Sequence, residues 1–300
     1  MSAIKVVKMT KKYNGVTVVN GIDLTMEEGE LFGFLGRNGA GKSTFINMLT
    51  GIAKPTSGSF SLLGGNIDHI EVKRKIGVLP DYSSFYESTT ALEHLRFFSA
   101  LSGETAQKSE CLEVLEAVGL ADHANKKLGK FSFGMKKKLG VAQAIIHDPE
   151  LLFLDEPTSG MDAESAIQIQ QLIKRLHGEG KTIFLTSHNL DEVEKLCTRI
   201  AIMKEGRIVK IGTMNELRAF YRSNIIVNIK HSPIPVSELS KFHQWIKDKG
   251  TEIHTKEESL TITVEEENRI SEITRALTAC NTNVYRVNVE EPTLEEIFLD

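Results

Sequence analysis

The sequence has little cysteine, no long apolar run and no surplus of positive charge, and each shortage closes a class of function. Its three cysteines, Cys111, Cys197 and Cys280, are odd in number, far apart and without a CxxC pair. That spacing argues against a disulfide framework and a zinc site, and fits a reducing cytoplasm. No run approaches the ~18 apolar residues of a membrane span, and residues 1–8 hold no long apolar core. Any work at a membrane is expected to need another chain to cross it. Acidic residues (40) slightly outnumber basic ones (36) for a net charge of -4, so no overall positive field draws the chain onto nucleic acid. What is present is ordinary globular material: 300 residues, 41% hydrophobic and 25% charged, enough for one large domain or two modest ones.

The most specific stretch is Gly36-Arg37-Asn38-Gly39-Ala40-Gly41-Lys42-Ser43-Thr44, which fits the phosphate-cradling loop in every required position. It lies between an apolar run at 31–35 and a helical pattern at 45–49, which is the strand, glycine loop, helix order the motif needs. Gly36, Gly39 and Gly41 let backbone N–H groups converge, and the following helix adds the positive end of its dipole. A triphosphate is the natural occupant. Lys42 adds a full charge at the terminal phosphates and the Ser43 hydroxyl holds a magnesium ion.

Along the chain, residues 4–7 and 16–24 read as short strands around the turn at Asn14-Gly15. Tyr13, in that turn, is either a surface aromatic or a flat face for an adenine ring, and taken alone the surface reading is favoured. Strands are expected at 59–63 and 76–79. From about 90 to 147 the spacing turns helical: Leu92, Leu95, Phe98 and Leu101, then Leu112, Leu115 and Val118, then Leu139, Ala142, Ile145 and Ile146. Strand character returns at 151–154, an unbroken apolar run suited to a sheet covered on both faces, and at 181–185 and 199–203, with a helix at 163–177. From 225 onward the order is βαββαβ, the split pattern of a small ferredoxin-like domain, with 217–224 as the joint. A capping-box spacing at Thr293 and Glu296 predicts a short terminal helix over 293–299.

Three polar groups stand at strand ends. Asp155 follows the buried run at 151–154 and offers the hard oxygen that a magnesium ion opposite a phosphate loop requires. Glu156, directed away from Asp155 by strand alternation, is placed to take the proton of an attacking water. His188 follows the strand at 181–185 and can reach the terminal phosphate, holding Glu156 and water in line. Ser132 and Gly134 lie in a small-residue turn within the helical block: either a helix cap, or a helix start facing a phosphate bound elsewhere. Lys136, Lys137 and Lys138 read as a solvated helix face near anionic lipid.

Together the glycine loop, Leu151-Leu152-Phe153-Leu154-Asp155-Glu156-Pro157, Ser159-Gly160-Met161-Asp162 and His188 resemble the ATP-binding-cassette transporter ATPases across about residues 1–218. The resemblance implies an α/β P-loop cassette with a helical subdomain at about 88–148, followed by a ferredoxin-like accessory domain at 219–300. It implies ATP and Mg2+ as cofactors, and a head-to-tail pair of cassettes in which each ATP lies between one chain's glycine loop and the other's signature turn. It assigns Tyr13 to adenine stacking, residues 36–44 to the phosphates, and Ser43 and Asp155 to magnesium. Glu156 becomes the general base, His188 the contact to the terminal phosphate, and Ser132 with Gly134 the contact to the opposite chain's ATP. Asp162 falls in the loop that crosses the seam. The tail, Glu291 to Phe298, resembles the closing motif of a subfamily that mostly exports drugs, peptide antibiotics, sodium or polysaccharides.

Two positions depart from that family. Phe133 stands where the signature turn usually has glycine, and Asp81 where the family often has glutamine; a carboxylate there can still ligate magnesium. The leading expectation is an ATPase subunit, peripheral on the inner face of the cell membrane, that drives a separate transmembrane permease. Tyr82, Phe85 and Tyr86 are expected to help form the groove for that permease's cytoplasmic helix. The alternative, supported by Phe133 and Asp81, is an ATP-gated regulator or scaffold with little turnover. DNA-repair and ribosome-associated cassettes are disfavoured, since neither tandem cassettes nor a long coiled-coil insertion is present.

Overall fold

The structure is a computed structural model and describes residues 2–80, 85–103, 105–221 and 225–290. Contacts divide the chain into two compact units, at Thr213/Met214. The first begins with a hairpin, β1 (Ser2–Tyr13) and β2 (Val16–Glu27), turning at Asn14 and Gly15, both at positive φ. Then come β3 (Leu31–Gly36), α1 (Lys42–Leu49), β4 (Ser57–Leu62), α2 (Ile70–Arg74) and β5 (Ile76–Leu79). Three helices follow, α3 (Ala91–Leu101), α4 (Lys108–Ala117) and α5 (Phe133–Ile145), and then β6 (Leu151–Asp155), α6 (Ala163–Gly178), β7 (Thr182–Ser187), α7 (Leu190–Leu196), β8 (Arg199–Lys204) and β9 (Arg207–Gly212).

Two sheets result. One is antiparallel, in the order β2-β1-β4; the other runs β5-β6-β7-β3-β8-β9, parallel except for β9. β3, β6 and β7 are buried at every residue, as continuous apolar strands covered on both faces must be. Their phenylalanines form one stack: Phe32 and Phe153 each lie 5.7 Å from Phe184, and Phe34 lies 5.0 Å from Phe45 of α1. Burying each ring fully is worth about 1.5–3 kcal/mol. This core fixes the carboxyl ends of β3, β6 and β7 side by side, and those ends carry the polar groups singled out above.

The hairpin strands are longer than expected. β1 runs to Tyr13 because it pairs with β4 as far as Thr10 and with β2 to its end, so backbone pairing holds the lysine-rich stretch Lys8 to Lys12. In α3 the buried stripe is Ala91, His94, Leu95 and Ser99, while Leu101 and Phe97 are exposed, against the expectation that Leu101 lies inward.

The second unit holds α8 (Met214–Tyr221), β10 (Ile225–His231), α9 (Val236–Ile246), β11 (Thr251–Lys256), β12 (Ser259–Val264), α10 (Asn268–Ala279) and β13 (Val284–Glu290). Its four strands form one antiparallel sheet in the order β11-β12-β10-β13, the ferredoxin-like arrangement read from the sequence. Val227, Ile229, Leu260 and Ile262 meet Phe242, Ile246, Ile273 and Leu277 in its core. The expected joint at 217–224 is partly helical, since α8 extends to Tyr221. Asp81, Tyr82, and the tail with its expected helix at 293–299 lie outside the described residues. No helix among the described residues is long and apolar enough to cross a membrane.

Candidate functional site

The start of α1 is bare. Its N-cap is Gly41, at φ 107, with no side-chain cap and no acidic residue in the first turn. Gly39 is also left-handed, at φ 82, so this path suits glycine and leaves the first-turn amides without intrahelical partners. The loop is folded on itself: Ala40 N donates to Arg37 O at 3.0 Å, and the 7% exposed Lys42 places Nζ 2.6 Å from Gly36 O. An ammonium held this way beside free amides is a preformed anion site. A cavity of about 250 Å3 opens here, lined by residues 38–44, by Val18 of β2 and by Glu156.

Asp155 and Glu156 end β6. Asp155 is 3% exposed; it accepts a short hydrogen bond from Thr186 Oγ1, and its carbonyl accepts one from Lys137 Nζ at 3.1 Å. Thr186 is the residue opposite Asp155 in the β6–β7 register. Glu156 lies past the strand in a left-handed conformation, φ 51, and its N–H donates to Thr186 O at 3.2 Å and Oγ1 at 3.1 Å. Its direction is therefore set by this turn and not by strand alternation as expected. A positive φ on a non-glycine residue is costly and persists where the surroundings enforce it. Glu156 Oε2 lies 2.7 Å from His188 Nδ1 and accepts from His188 N at 3.4 Å. β7 runs two residues further than expected, to Ser187, which sets His188 directly at the strand end.

The structure thus brings the glycine loop, Lys42, Ser43, Thr44 and Glu156 around one cavity, with His188 on Glu156. For a divalent cation the donors present are hard oxygens, the Ser43 hydroxyl and the Asp155 carboxylate. Among the described residues no cluster of three His, Cys, Asp or Glu could hold a metal alone. That fits magnesium, which takes one or two protein oxygens and completes its shell with phosphate and water. Ser43 and Asp155 would hold it there.

Tyr13 is 47% exposed at the hairpin end, with Lys11 Nζ 4.8 Å from its ring centre. Ser132 and Gly134 are not part of the cavity. Ser132 is the N-cap of α5, its Oγ accepting from Met135 N at 3.2 Å. Phe133 is 61% exposed and rests on Gly160: a Cβ on Gly160 would run into its ring. Asp162 caps α6, accepting from Ser165 N and Ser165 Oγ, and those bonds hold its carboxyl below the usual range. Of the presumed permease groove, Phe85 lies 5.2 Å from His94 and Tyr86 lies 6.3 Å from Phe97, both against α3.

A second expectation fails here. Lys137 is 6% exposed and bonded to the end of β6, so Lys136 to Lys138 do not form one solvated face. The signal was present: Lys137 shares a helix face with Gly140, Val141 and Ala144, all buried. Thr186 was also passed over, although the parallel register that pairs it with Asp155 follows from aligning two apolar strands.

Known proteins match this chain over both of its units. The profile of the ABC transporter family matches residues 19–159, and that of the C-terminal domain of DrrA1-3-like ATP-binding proteins matches 212–300. The chain is 36% identical over 295 residues to the linearmycin resistance ATP-binding protein LnrL of Bacillus subtilis, covering 97% of this chain and 95% of that protein. It is 31% identical to the daunorubicin/doxorubicin resistance ATP-binding protein DrrA of Streptomyces peucetius, covering 99% and 91%. Among solved structures, the dimeric cassette MJ0796 in a post-hydrolysis state with ADP and Pi superposes with a TM-score of 0.66 at 25% identity, over 70% of this chain and 98% of that one.

Proposed function

The chain belongs to the ATP-binding subunits of ABC transporters, and we propose that within that family it is the motor of an exporter. It binds ATP and hydrolyses it, and its hydrolysis drives a membrane-crossing partner. The observation that carries this reading is the meeting of Lys42, Ser43 and Glu156 at one cavity, with His188 2.7 Å from Glu156.

The chemistry follows from these groups. The α1 amides and Lys42 take the β- and γ-phosphates. Magnesium, when bound at Ser43 and Asp155, supplies positive charge to the phosphate oxygens. Glu156 accepts the proton of the attacking water, and the His188 ring beside it holds the carboxylate in direction and reaches toward the terminal phosphate. Tyr13 stacks on the adenine.

Two copies, or this chain and a paralogue, sandwich two ATP molecules, each completed by Ser132 and Gly134 of the other chain. The dimeric state of the MJ0796 cassette supports that arrangement. A separate transmembrane permease docks beside α3, where Tyr86, Phe97 and Leu101 expose apolar surface. The cassette then sits on the cytoplasmic side of the membrane. Outward transport is supported by the resistance functions of LnrL and DrrA. The test is Glu156→Gln in purified protein: ATP binding persists and turnover is lost. Turnover that survives the substitution refutes Glu156 as the base.

A further inference from the structure

Glu192, in the first turn of α7, is 2% exposed, and its carboxylate serves neither the core nor the nucleotide cavity. It accepts Thr158 Oγ1 at 2.8 and 2.9 Å, Ser187 Oγ at 2.8 Å and Gln170 Nε2 at 3.4 Å. All three donors are neutral, and among the described residues no cation is paired with it. A buried carboxylate is expensive unless its oxygens are satisfied, and a leucine, like the neighbouring Val193 and Leu196, would fill the same space without that penalty.

What the carboxylate alone can do is gather donors from separate segments. Thr158 stands two residues after Glu156, and Ser187 stands immediately before His188. The Ser187 hydroxyl has no freedom: it accepts Asn189 N at 3.0 Å, and so turns its proton to Glu192. Asn189 in turn caps Glu192 N at 3.2 Å. Two bridges therefore join the same two loops. One is exposed, Glu156 to His188, with the histidine side chain 60% accessible. The other is buried, Thr158 to Glu192 to Ser187. The exposed pair joins a strained φ 51 residue to a solvent-facing ring, an arrangement that persists only where its surroundings enforce it.

We propose that Glu192 is a positioning residue for ATP hydrolysis: by locking Thr158 to Ser187, its carboxylate holds Glu156 and His188 in their working arrangement. This rests on the reading of Glu156 as the base.

The test is steady-state ATPase kinetics of the full chain with magnesium and ATP, comparing wild type, Glu192→Gln, His188→Ala and the double variant. Glutamine keeps the shape but turns an N–H2 toward hydroxyls that already donate. Glu192→Gln is expected to lower kcat about tenfold or more while KM for ATP changes less than about threefold, the mark of an interaction used in the transition state. In the His188→Ala background it should lower kcat by a smaller factor, because one member of the pair it positions is gone. Thr158→Val and Ser187→Ala cut the bridge from either end and should each reproduce the loss, which keeps the test available if Glu192→Gln does not fold. An unchanged kcat, or an equal loss with and without His188, overturns the inference. Wild-type turnover that is abolished by Glu156→Gln establishes the base separately; turnover untouched by Glu156→Gln overturns the proposed base and this inference with it.

Discussion

Two helix starts in this protein are proposed to meet phosphate, and they are built in opposite ways. α1 opens on Gly41 with no side-chain cap, a buried lysine and a cavity in front of it. α5 opens on Ser132, whose hydroxyl already accepts Met135 N. The first is built from one chain's own loop and lysine. The second has a first-turn amide already satisfied, and on our proposal it contacts phosphate when a second molecule brings the anion to it. On that proposal the difference separates ATP binding, which one chain performs, from the later steps of the cycle, which need a partner.

The comparison breaks most visibly at Lys42. Lys42→Ala should lower ATP affinity by about 100-fold or more, read by calorimetry, because it removes the full charge from the preformed site. Next is Glu156→Gln, expected to lower kcat by about 10²–10⁴ with ATP affinity retained, read by phosphate release. Ser132→Ala sharpens the contrast. It removes a helix cap worth about 1 kcal/mol, seen as a lower melting temperature, and should leave the ATP affinity of the single chain unchanged while weakening ATP-driven pairing. Equal loss of ATP binding in Ser132→Ala and Lys42→Ala would erase the distinction.

A smaller effect concerns Phe133 and Gly160. Gly160→Ala combines backbone strain at φ 73 with collision against the Phe133 ring; in a Phe133→Ala background only the strain is left. A double-mutant cycle on thermal stability should return a coupling of about 0.5–3 kcal/mol. Additive effects would mean that the ring does not hold the turn.

Smallest is a pH effect in the helices that carry α5. His94 is 2% exposed and bonds Gln143 of α5 at 2.8 Å; burial lowers its pKa from 6.5, with the Gln143 bond opposing. Above about 6.5 the histidine is neutral in both states and no stability is lost; below it the unfolded chain binds the proton first, so stability falls as pH falls toward the folded pKa. Melting temperatures of wild type should drop more steeply between pH 7 and 5.5 than those of His94→Gln. Parallel curves would contradict the sign.

The glycine loop, the strand ends at Asp155 and His188 and the ferredoxin-like order were all legible, because each is local: a spacing, an apolar run or an alternation. What was not legible depends on pairing between distant segments. Lys8 to Lys12 extend a strand because β2 pairs along β1 to its end and β4 pairs with it as far as Thr10. Glu156 turns left-handed because Thr186 holds its N–H. Lys137 lies inside because the end of β6 offers a carbonyl. Thr158, Ser187 and Glu192 are ordinary in sequence and meet only after the crossover through α6 from β6 to β7. Ser132 had two readings, cap or phosphate contact; the single chain displays the cap, and the contact is the proposal made for the pair.

The most direct test of the shared site is the molar mass of Glu156→Gln in solution, by light scattering, with ATP and magnesium. The account predicts twice the chain mass with ATP, a single chain without it, and a single chain with ATP when Lys42→Ala is added. A single chain throughout, with ATP bound, would contradict it.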